Sequence, residues 1–448
     1  MPSAERLVRD PDHVIRDTIA AIATPAGRGG IGVVRISGPD VAGICQKLLG
    51  RLPLPRHAMH AVFRDARGGA VDEGIALYFP APHSYTGEPV LELQGHGGPM
   101  VMQAVLAACL DAGARLAEPG EFTRRAFLEG KLDLAQAEAV ADLIDAASRE
   151  AARSALRSLT GEFSAAIGAM QSQLIELRAL TEAMLDFPEE DVDAFHRGDA
   201  AARLAAVRGA LDDVLAKSRQ GSLLRSGIHV VLAGRPNVGK SSLLNRLAGE
   251  ERAIVTPVAG TTRDALREPI QIEGLALVLV DTAGLRLSSD MVERLGVQRT
   301  QRELERADVV MAVFEAGKGR DALENLPSGV PLIEVYNKID LVPGFAAPAG
   351  AVAVSARTDE GLAELRKAVL EAAGWSSSGE PVFLARERHL RALERARAHL
   401  EAAARETGRW ELFAEELRLA HTALGSVVGE FSADDLLGEI FARFCIGK

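Results

Sequence analysis

The order of apolar and polar positions divides the chain into three textures. From about residue 17 to 120, short runs of β-type alternation sit between helical stretches: "TIAAIA", "IGVVRIS", "GIALYF" and "VLELQ", punctuated by the turn-forming "TPAGRGG" and "SYTGE". That pattern predicts a small α+β domain over residues 1–118. From Pro119 the period lengthens. In "LDLAQAEAVADLIDAASREAARSALRSL", Leu132, Ala135, Ala139, Leu143 and Ala146 recur at helical spacing, which predicts long helices packed as a bundle over 119–223. "LDFPEED", with Pro188 beside a carboxylate cluster, predicts a break in that bundle.

Past "RQGSLLRSG", apolar runs alternate with helical stretches: "IHVVLAG", "LALVLVD", "DVVMAVF", "PLIEVY" and "GAVAVSA". Strands at this spacing, with helices between them, predict a doubly wound α/β domain over 224–376. After the soft linker "WSSSGE" the helical period returns over 377–448. A helical tail matching the helices before the α/β segment predicts that this segment is inserted into one discontinuous helical domain, since domain termini commonly lie close together. The expected fold class is multidomain α/β: an N-terminal α+β domain, a discontinuous all-α domain and an inserted Ras-like P-loop domain.

Composition narrows the function classes. At 448 residues the chain exceeds the roughly 250–300 that one core usually holds. Its 51 basic and 62 acidic residues leave a net charge of −11, which argues against general coating of nucleic acid but not against a local basic patch. Three cysteines, Cys45, Cys109 and Cys445, share no metal-type spacing and cannot all pair, so a disulfide scaffold is not expected. No apolar run approaches the ~20 residues of a membrane span, and "MPSAERLVRDPDHVIRD" lacks the apolar core of a signal peptide. The expectation is a soluble, cytoplasmic protein with no membrane partner.

"GRPNVGKSS" follows the apolar run "IHVVLA" and opens the helical run "SLLNRLAG", with Gly234, Gly239, Lys240 and Ser241 at the G-x-x-x-x-G-K-[ST] positions. Its glycines let backbone N–H groups close around phosphates, Lys240 would bridge the β- and γ-phosphates, and Ser241 would hold Mg²⁺. "DTAG", Asp281 to Gly284, caps the strand "LALVLV" and brings Asp281 near the metal and the Gly284 N–H near the γ-phosphate. "NKID" follows "PLIEVY", so that Asp340 can accept both N–H donors that guanine presents and adenine lacks. Such paired recognition discriminates by about 10⁴ or more. "SAR", Ser355 to Arg357, ends "AVAV" in a place suited to backbone contacts with the base. Four pieces in this order imply GTP. In "IVTPVAGTTRD" a threonine must reach Mg²⁺ and the γ-phosphate; Thr262 is assigned that role, with Thr261 as its close competitor. The glutamine that orients water in Ras-like enzymes is replaced by Leu285, so Arg286, Asp290 and Glu293 are the nearby candidates for that task. Asn237 offers a spare oxygen beside the β-phosphate for a monovalent cation.

These motifs, the insertion topology and the terminal "FCIGK" together resemble the MnmE (TrmE) family of tRNA-modification GTPases over nearly the whole chain. The resemblance implies an N-terminal folate-binding domain that dimerises, and a homodimer whose G domains pair on activation. It implies a GTP hydrolase that works with an MnmG/GidA-like flavoprotein, as a heterotetramer, with FAD entering only through that partner. The substrate would be the wobble uridine of certain tRNAs, receiving an aminomethyl or carboxymethylaminomethyl group with a tetrahydrofolate derivative as one-carbon donor. The GTP-binding set would be Asn237, Val238, Gly239, Lys240, Ser241, Ser242, Thr256, Thr261, Thr262, Asp281, Thr282, Ala283, Gly284, Asn337, Lys338, Asp340, Ser355, Ala356 and Arg357. K⁺ would be held by Asn237, Thr256, Val258 and Thr261, and Mg²⁺ by Ser241 and Thr262. Glu293 would orient the water. Folate would fall to Arg35, Glu92, Lys131 and Lys448, and Cys445 would act on the base or the one-carbon unit. The residues alone leave bland readings open: Arg35 and Glu92 as a buried ion pair, and Cys445 as a small apolar residue continuing the row Leu437, Phe441 behind an S-x-x-D cap at Ser432 and Asp435. The competing function is a ribosome-assembly GTPase without folate chemistry, which would carry a basic RNA-binding module after the G domain.

Overall fold

The computed structural model describes residues 17–186, 193–248, 270–272, 275–281, 307–320, 329–375, 382–406, 408–430, 434–442, 444 and 447. Two compact units divide the chain: residues 1–141 with 428–448, and residues 142–427. The tail 428–448 packs in the first unit, against Leu134 and Ala137 of the helical segment 119–223 with which the sequence reading joined it.

The first unit is built on a six-stranded sheet. Its strands are β1 (Ile19–Ile22), β2 (Gly32–Ser37), β3 (Met59–Arg64), β4 (Ala70–Phe79), β5 (Val90–Gly95) and β6 (Arg115–Leu116), in the order β3-β4-β5-β2-β1-β6. All pairings are antiparallel except β1 with β6. The alternation read from the sequence located β1, β2, β4 and β5 but missed β3 and β6. β3 keeps only Phe63 fully buried and is an edge strand, so its pattern is weak; β6 has two residues. One face packs Ile36, Leu91 and Leu93 against α1 (Val41–Leu49) and α2 (Pro99–Asp111), through Ile44, Met102 and Val105. The other buries Ile19, Ala21 and Ala117 under Phe122 of α3 (Glu121–Leu128), with Tyr85 against them.

The C-terminal helix, Asp434–Phe441, joins this unit through Leu437, Ile440, Phe441 and Phe444, which pack on Leu134 and Ala137. Each such large apolar side chain contributes about 1.5–3 kcal/mol on full burial. Gly120, in the left-handed region, admits the Phe441 carbonyl, where a Cβ would clash. Gly447 is buried against the Ile22 carbonyl for the same reason. Ser432 and Cys445 lie outside the described residues.

In the second unit the alanine-rich stretch is two helices rather than one. α4 (Leu134–Ile144), which begins in the first unit, ends before Ala146; α5 (Arg149–Leu159) restarts at Ser148, whose hydroxyl accepts from the Ala151 N–H at 3.1 Å. The cap supplies what a periodicity count cannot show, a local partner for a free helix-end amide. α6 (Glu162–Asp186) and α7 (Asp193–Ser226) follow, and α7 runs into the inserted sheet; Pro188 lies outside the described residues. That sheet holds β7 (Ile228–Ala233), β8 (Ile270–Ile272), β9 (Leu275–Asp281), β10 (Val309–Glu315), β11 (Leu332–Asn337) and β12 (Val352–Ala353) in the order β12-β11-β10-β7-β9-β8, parallel except for β8. Helices α8 (Lys240–Ala248) and α9 (Leu362–Ala372) accompany it; α10 (Glu387–Arg405) and α11 (Trp410–Val428) resume the helical part. Asp142, with a side chain 8% exposed, accepts from Arg225 Nε at 3.2 Å and Arg386 Nη2 at 2.8 Å. One carboxylate therefore ties together the points where the chain enters and leaves the inserted domain.

Candidate functional site

The strand order reverses about β7, where β9 lies on one side and β10 on the other. In open α/β sheets the carboxyl ends of strands at such a switch form the ligand crevice. The loop 234–239 occupies that end of β7 and leads into α8. Three of its residues have positive φ: Gly234 at 152°, Asn237 at 65° and Gly239 at 95°. This curl turns the loop back over the strand. Lys240, 6% exposed, donates from Nζ to the Gly234 carbonyl at 2.8 Å and the Arg235 carbonyl at 3.2 Å, so its ammonium sits inside the curl. Val238 is buried, while Asn237, Ser241 and Ser242 are exposed at the loop and the first turn of α8.

Asn337 at the end of β11 joins three of the motifs. It is 1% exposed. Its Nδ2 donates to the Val238 carbonyl at 3.0 Å, and its Oδ1 accepts from the N–H of Lys338 at 2.8 Å and of Ala356 at 3.2 Å. A Cβ on residue 239 would overlap Nδ2, so Gly239 is required by contact as well as by φ. Lys338, itself left-handed at φ 67°, extends over the phosphate loop; its Nζ donates to the Asn237 carbonyl at 2.7 Å and to Glu315 Oε2 at 3.0 Å. Hydrogen bonds from Lys318 and Lys338 hold the Glu315 carboxyl below its ordinary range. Glu315 carried no motif, so the sequence reading missed it as the partner of Lys338.

The Asp340 carboxylate is also held in place. Ser355 is fully buried; its hydroxyl donates to Asp340 Oδ1 at 2.8 Å and accepts from the Arg357 and Thr358 N–H groups at 3.3 and 3.2 Å. The second Asp340 oxygen lies 3.9 Å from Arg357 Nη1, and the side chain is 16% exposed. Register places the Asp281 backbone opposite Leu232, at the entry to the phosphate loop. Thr256, Val258, Thr261, Thr262, Thr282, Ala283, Gly284, Leu285, Arg286, Asp290 and Glu293 lie outside the described residues.

In the first unit Arg35 and Glu92 face one another across β2 and β5. Arg35 Nε donates to Glu92 Oε1 at 2.9 Å, and the side chains are 20% and 18% exposed. The guanidinium lies 4.9 Å from the centre of the Tyr85 ring and 5.8 Å from that of Phe122. Lys131 is exposed, with its stem beside Gly87, in the turn that carries Tyr85. Lys448 is outside the described residues. Beneath this site lies a charge cluster without a motif. Arg125, 2% exposed, donates to Asp17 Oδ1 at 2.7 Å, Glu121 Oε1 at 2.9 Å and Glu88 at 3.2 Å. Cys45 and Cys109 are free and buried, and burial pushes both thiols up to about 12, which removes them as nucleophiles.

A loop of G-x-x-x-x-G-K-S sequence, the supported Asp340 carboxylate of an N-K-x-D motif and a crevice at the sheet switch are the features of a P-loop GTPase domain, here set between helices. Family comparison agrees. Residues 18–131 match the family described as GTP-binding protein TrmE N-terminus, and residues 134–445 match the MnmE helical domain. The tRNA modification GTPase MnmE of Azoarcus sp. (strain BH72) is 63% identical over 96% of this chain and 98% of its own; that of Thiobacillus denitrificans is 59% identical over the same shares. Among solved structures, the G domain of the T. maritima FeoB iron transporter is similar over 33% of this chain and 98% of its own, at 23% identity and a TM-score of 0.24. The chain belongs to the MnmE family of tRNA modification GTPases. Among the described residues no helix is long and apolar enough to cross a membrane.

Proposed function

We propose that this chain hydrolyses GTP at the loop 234–242 to drive a folate-dependent modification at C5 of the wobble uridine in certain tRNAs. The observation that carries the reading is Asn337, which connects the phosphate loop to both guanine-side segments within one buried side chain. GTP binding then draws on backbone N–H groups of 237–242 for the phosphates, on the Lys240 ammonium for their charge, and on Asp340, aimed by Ser355, for the base.

The residues fit two cations. Ser241 offers an exposed hydroxyl at the first turn of α8, and Thr262 is assigned as its partner for Mg²⁺. Asn237, exposed and held in the left-handed region, presents an amide oxygen for K⁺, with Thr256, Val258 and Thr261 completing the set. Magnesium and potassium supply positive charge where negative charge builds on the transferred phosphoryl group. Glu293 orients the attacking water in place of the glutamine that Leu285 replaces.

Arg35 fits a folate because its guanidinium is stacked and partly exposed beside the Glu92 carboxylate, offering donors and an acceptor together. Lys131 and Lys448 suit the anionic tail, and Cys445 acts at the one-carbon unit or the base. A bound folate supplies the one-carbon unit. The active assembly is a homodimer with an MnmG/GidA-like flavoprotein that brings FAD.

The test is GTP turnover in KCl and in NaCl at matched ionic strength, with reduced-folate binding measured by calorimetry. Faster turnover in K⁺ together with folate binding that Arg35→Ala removes is the expected result. Equal turnover in both salts overturns the potassium role, and absence of folate binding overturns the one-carbon reading.

A further inference from the structure

The turn "SYTGE", residues 84–88, has no part in that reading, yet its polar side chains are committed to holding its shape. The Ser84 hydroxyl accepts from the Gly87 N–H at 3.0 Å and donates to the Glu88 carbonyl, closing the turn on itself. Ser37, fully buried at the end of β2, donates to Glu88 Oε2 at 2.8 Å, so its oxygen accepts from the buried Thr86 hydroxyl at 2.7 Å. Glu88 also accepts from the buried Arg125 at 3.2 Å. The charge cluster around Arg125 is thereby an anchor. It fixes the turn to α3 and, through Ser37, to the strand that carries Arg35.

The residue this anchoring presents is Tyr85. Its ring lies 4.9 Å from the Arg35 guanidinium, and its hydroxyl pairs at 2.8 Å with Thr123, fully buried on α3. Held by the turn at one end and by Thr123 at the other, the ring cannot swing away. Phe122 also flanks the guanidinium but is fully buried, whereas Tyr85 is half-buried. Arg35 gives both Nε and Nη2 to a single Glu92 oxygen, Oε1, each at 2.9 Å. A two-oxygen fork would lock the guanidinium plane, but one shared oxygen lets it pivot. Among the described residues no protein group takes Arg35 Nη1 or Glu92 Oε2, so a free donor lies beside a free acceptor. Such an edge suits a heterocycle that offers N–H groups beside ring-nitrogen and carbonyl acceptors, as a pterin does. It is a usable edge only if the plane is fixed, and the face of Tyr85 fixes it.

We infer that Tyr85 is a positioning residue of the one-carbon-donor site, its ring holding the Arg35 guanidinium in the plane that, with Glu92, meets the pterin of the donor. The inference rests on the folate reading above. The test is calorimetric titration of the full-length chain with tetrahydrofolate kept under reductant. Tyr85→Phe and Tyr85→Leu both lose the Thr123 bond, but only leucine loses the ring. Phenylalanine is expected to bind within about twofold of wild type and leucine about five- to tenfold more weakly, as loss of a cation–π contact does. Tyr85→Met, equally without a ring, repeats the leucine measurement, and thermal unfolding checks that each variant is folded. Arg35→Lys keeps the charge but has no plane to hold. It weakens binding by itself, and adding Tyr85→Leu to it weakens binding little further, because both changes remove one interaction. Additive losses, equal losses in the phenylalanine and leucine variants, or ring-less variants that bind like the wild type would each overturn the positioning role while the folate reading stands. A wild type that does not bind tetrahydrofolate overturns that reading and this inference with it.

Discussion

Replacing Asn337 by alanine tests whether the nucleotide site is held together by one buried amide. The substitution removes three hydrogen bonds, at 3.0, 2.8 and 3.2 Å, from a residue 1% exposed. At a net 0.5–1.5 kcal/mol each, the loss is about 3 kcal/mol. These bonds join loops rather than core elements, so the loss falls mainly on the pre-formed nucleotide site. Three kcal/mol corresponds to roughly a hundredfold in affinity. The assay is titration with a fluorescent GDP analogue, with thermal unfolding recorded alongside. Asn337→Asp sharpens the test. It keeps an acceptor for the Lys338 and Ala356 amides but sets a second acceptor against the Val238 carbonyl, and it is expected to weaken binding as much as alanine does. An Asn337→Ala protein that binds the analogue within about threefold of wild type would refute the reasoning, because the three loops would then be holding each other by other means.

Further outcomes follow from the same contacts. Asp340→Asn exchanges an acceptor for a donor and should weaken GTP binding while improving xanthosine triphosphate binding; Ser355→Ala, which leaves the carboxylate itself in place but removes the hydroxyl that supports it and caps the Arg357 and Thr358 amides, should have a smaller effect in the same competition assay. Arg125→Met takes one of two guanidinium partners from Glu121 and leaves Glu88 with the Ser37 hydroxyl, and should lower stability in urea by about 1.5–3 kcal/mol. Burial alone would raise the Glu121 carboxyl, but hydrogen bonds from Arg115, the Glu118 amide and Arg125 outweigh it and hold it below 4.5. A depressed carboxyl stabilises the fold above its unfolded value, so the melting temperature should fall as pH drops below about 4.5, and less steeply in Arg125→Met. Cys445→Ser should leave folding and GTP hydrolysis intact and abolish tRNA modification; modification at the normal rate would reduce Cys445 to packing.

Much of the site was legible because phosphate-loop chemistry is local. Gly234, Gly239, Lys240 and Ser241 lie within eight residues, and the curl they form closes on itself through left-handed glycines and the Lys240 bond to the Gly234 carbonyl, so its shape follows from local spacing. The central strands of the inserted sheet were legible for a similar reason: β7 and β10 are buried along nearly their whole length and read as largely apolar runs. Edge strands β3 and β8, and the break at Ser148, were not legible, because a weak alternation or a single cap carries too little signal against an apolar or alanine-rich background.

The local chemistry of the guanine motifs, the insertion order and the need for a GTP-type loop were thus set by residues near one another in the chain. What tertiary structure alone decided is how distant residues are brought together. Asn337 meets Val238 across 99 positions, Lys338 meets Asn237 across 101, and Asp142 meets Arg386 across 244. The tail after Val428 shares the helical period, and in the folded chain its Phe441 and Phe444 find their apolar partners on Leu134 and Ala137, about 300 positions earlier. Periodicity specifies that a helix has an apolar face; only the folded chain specifies which surface covers it.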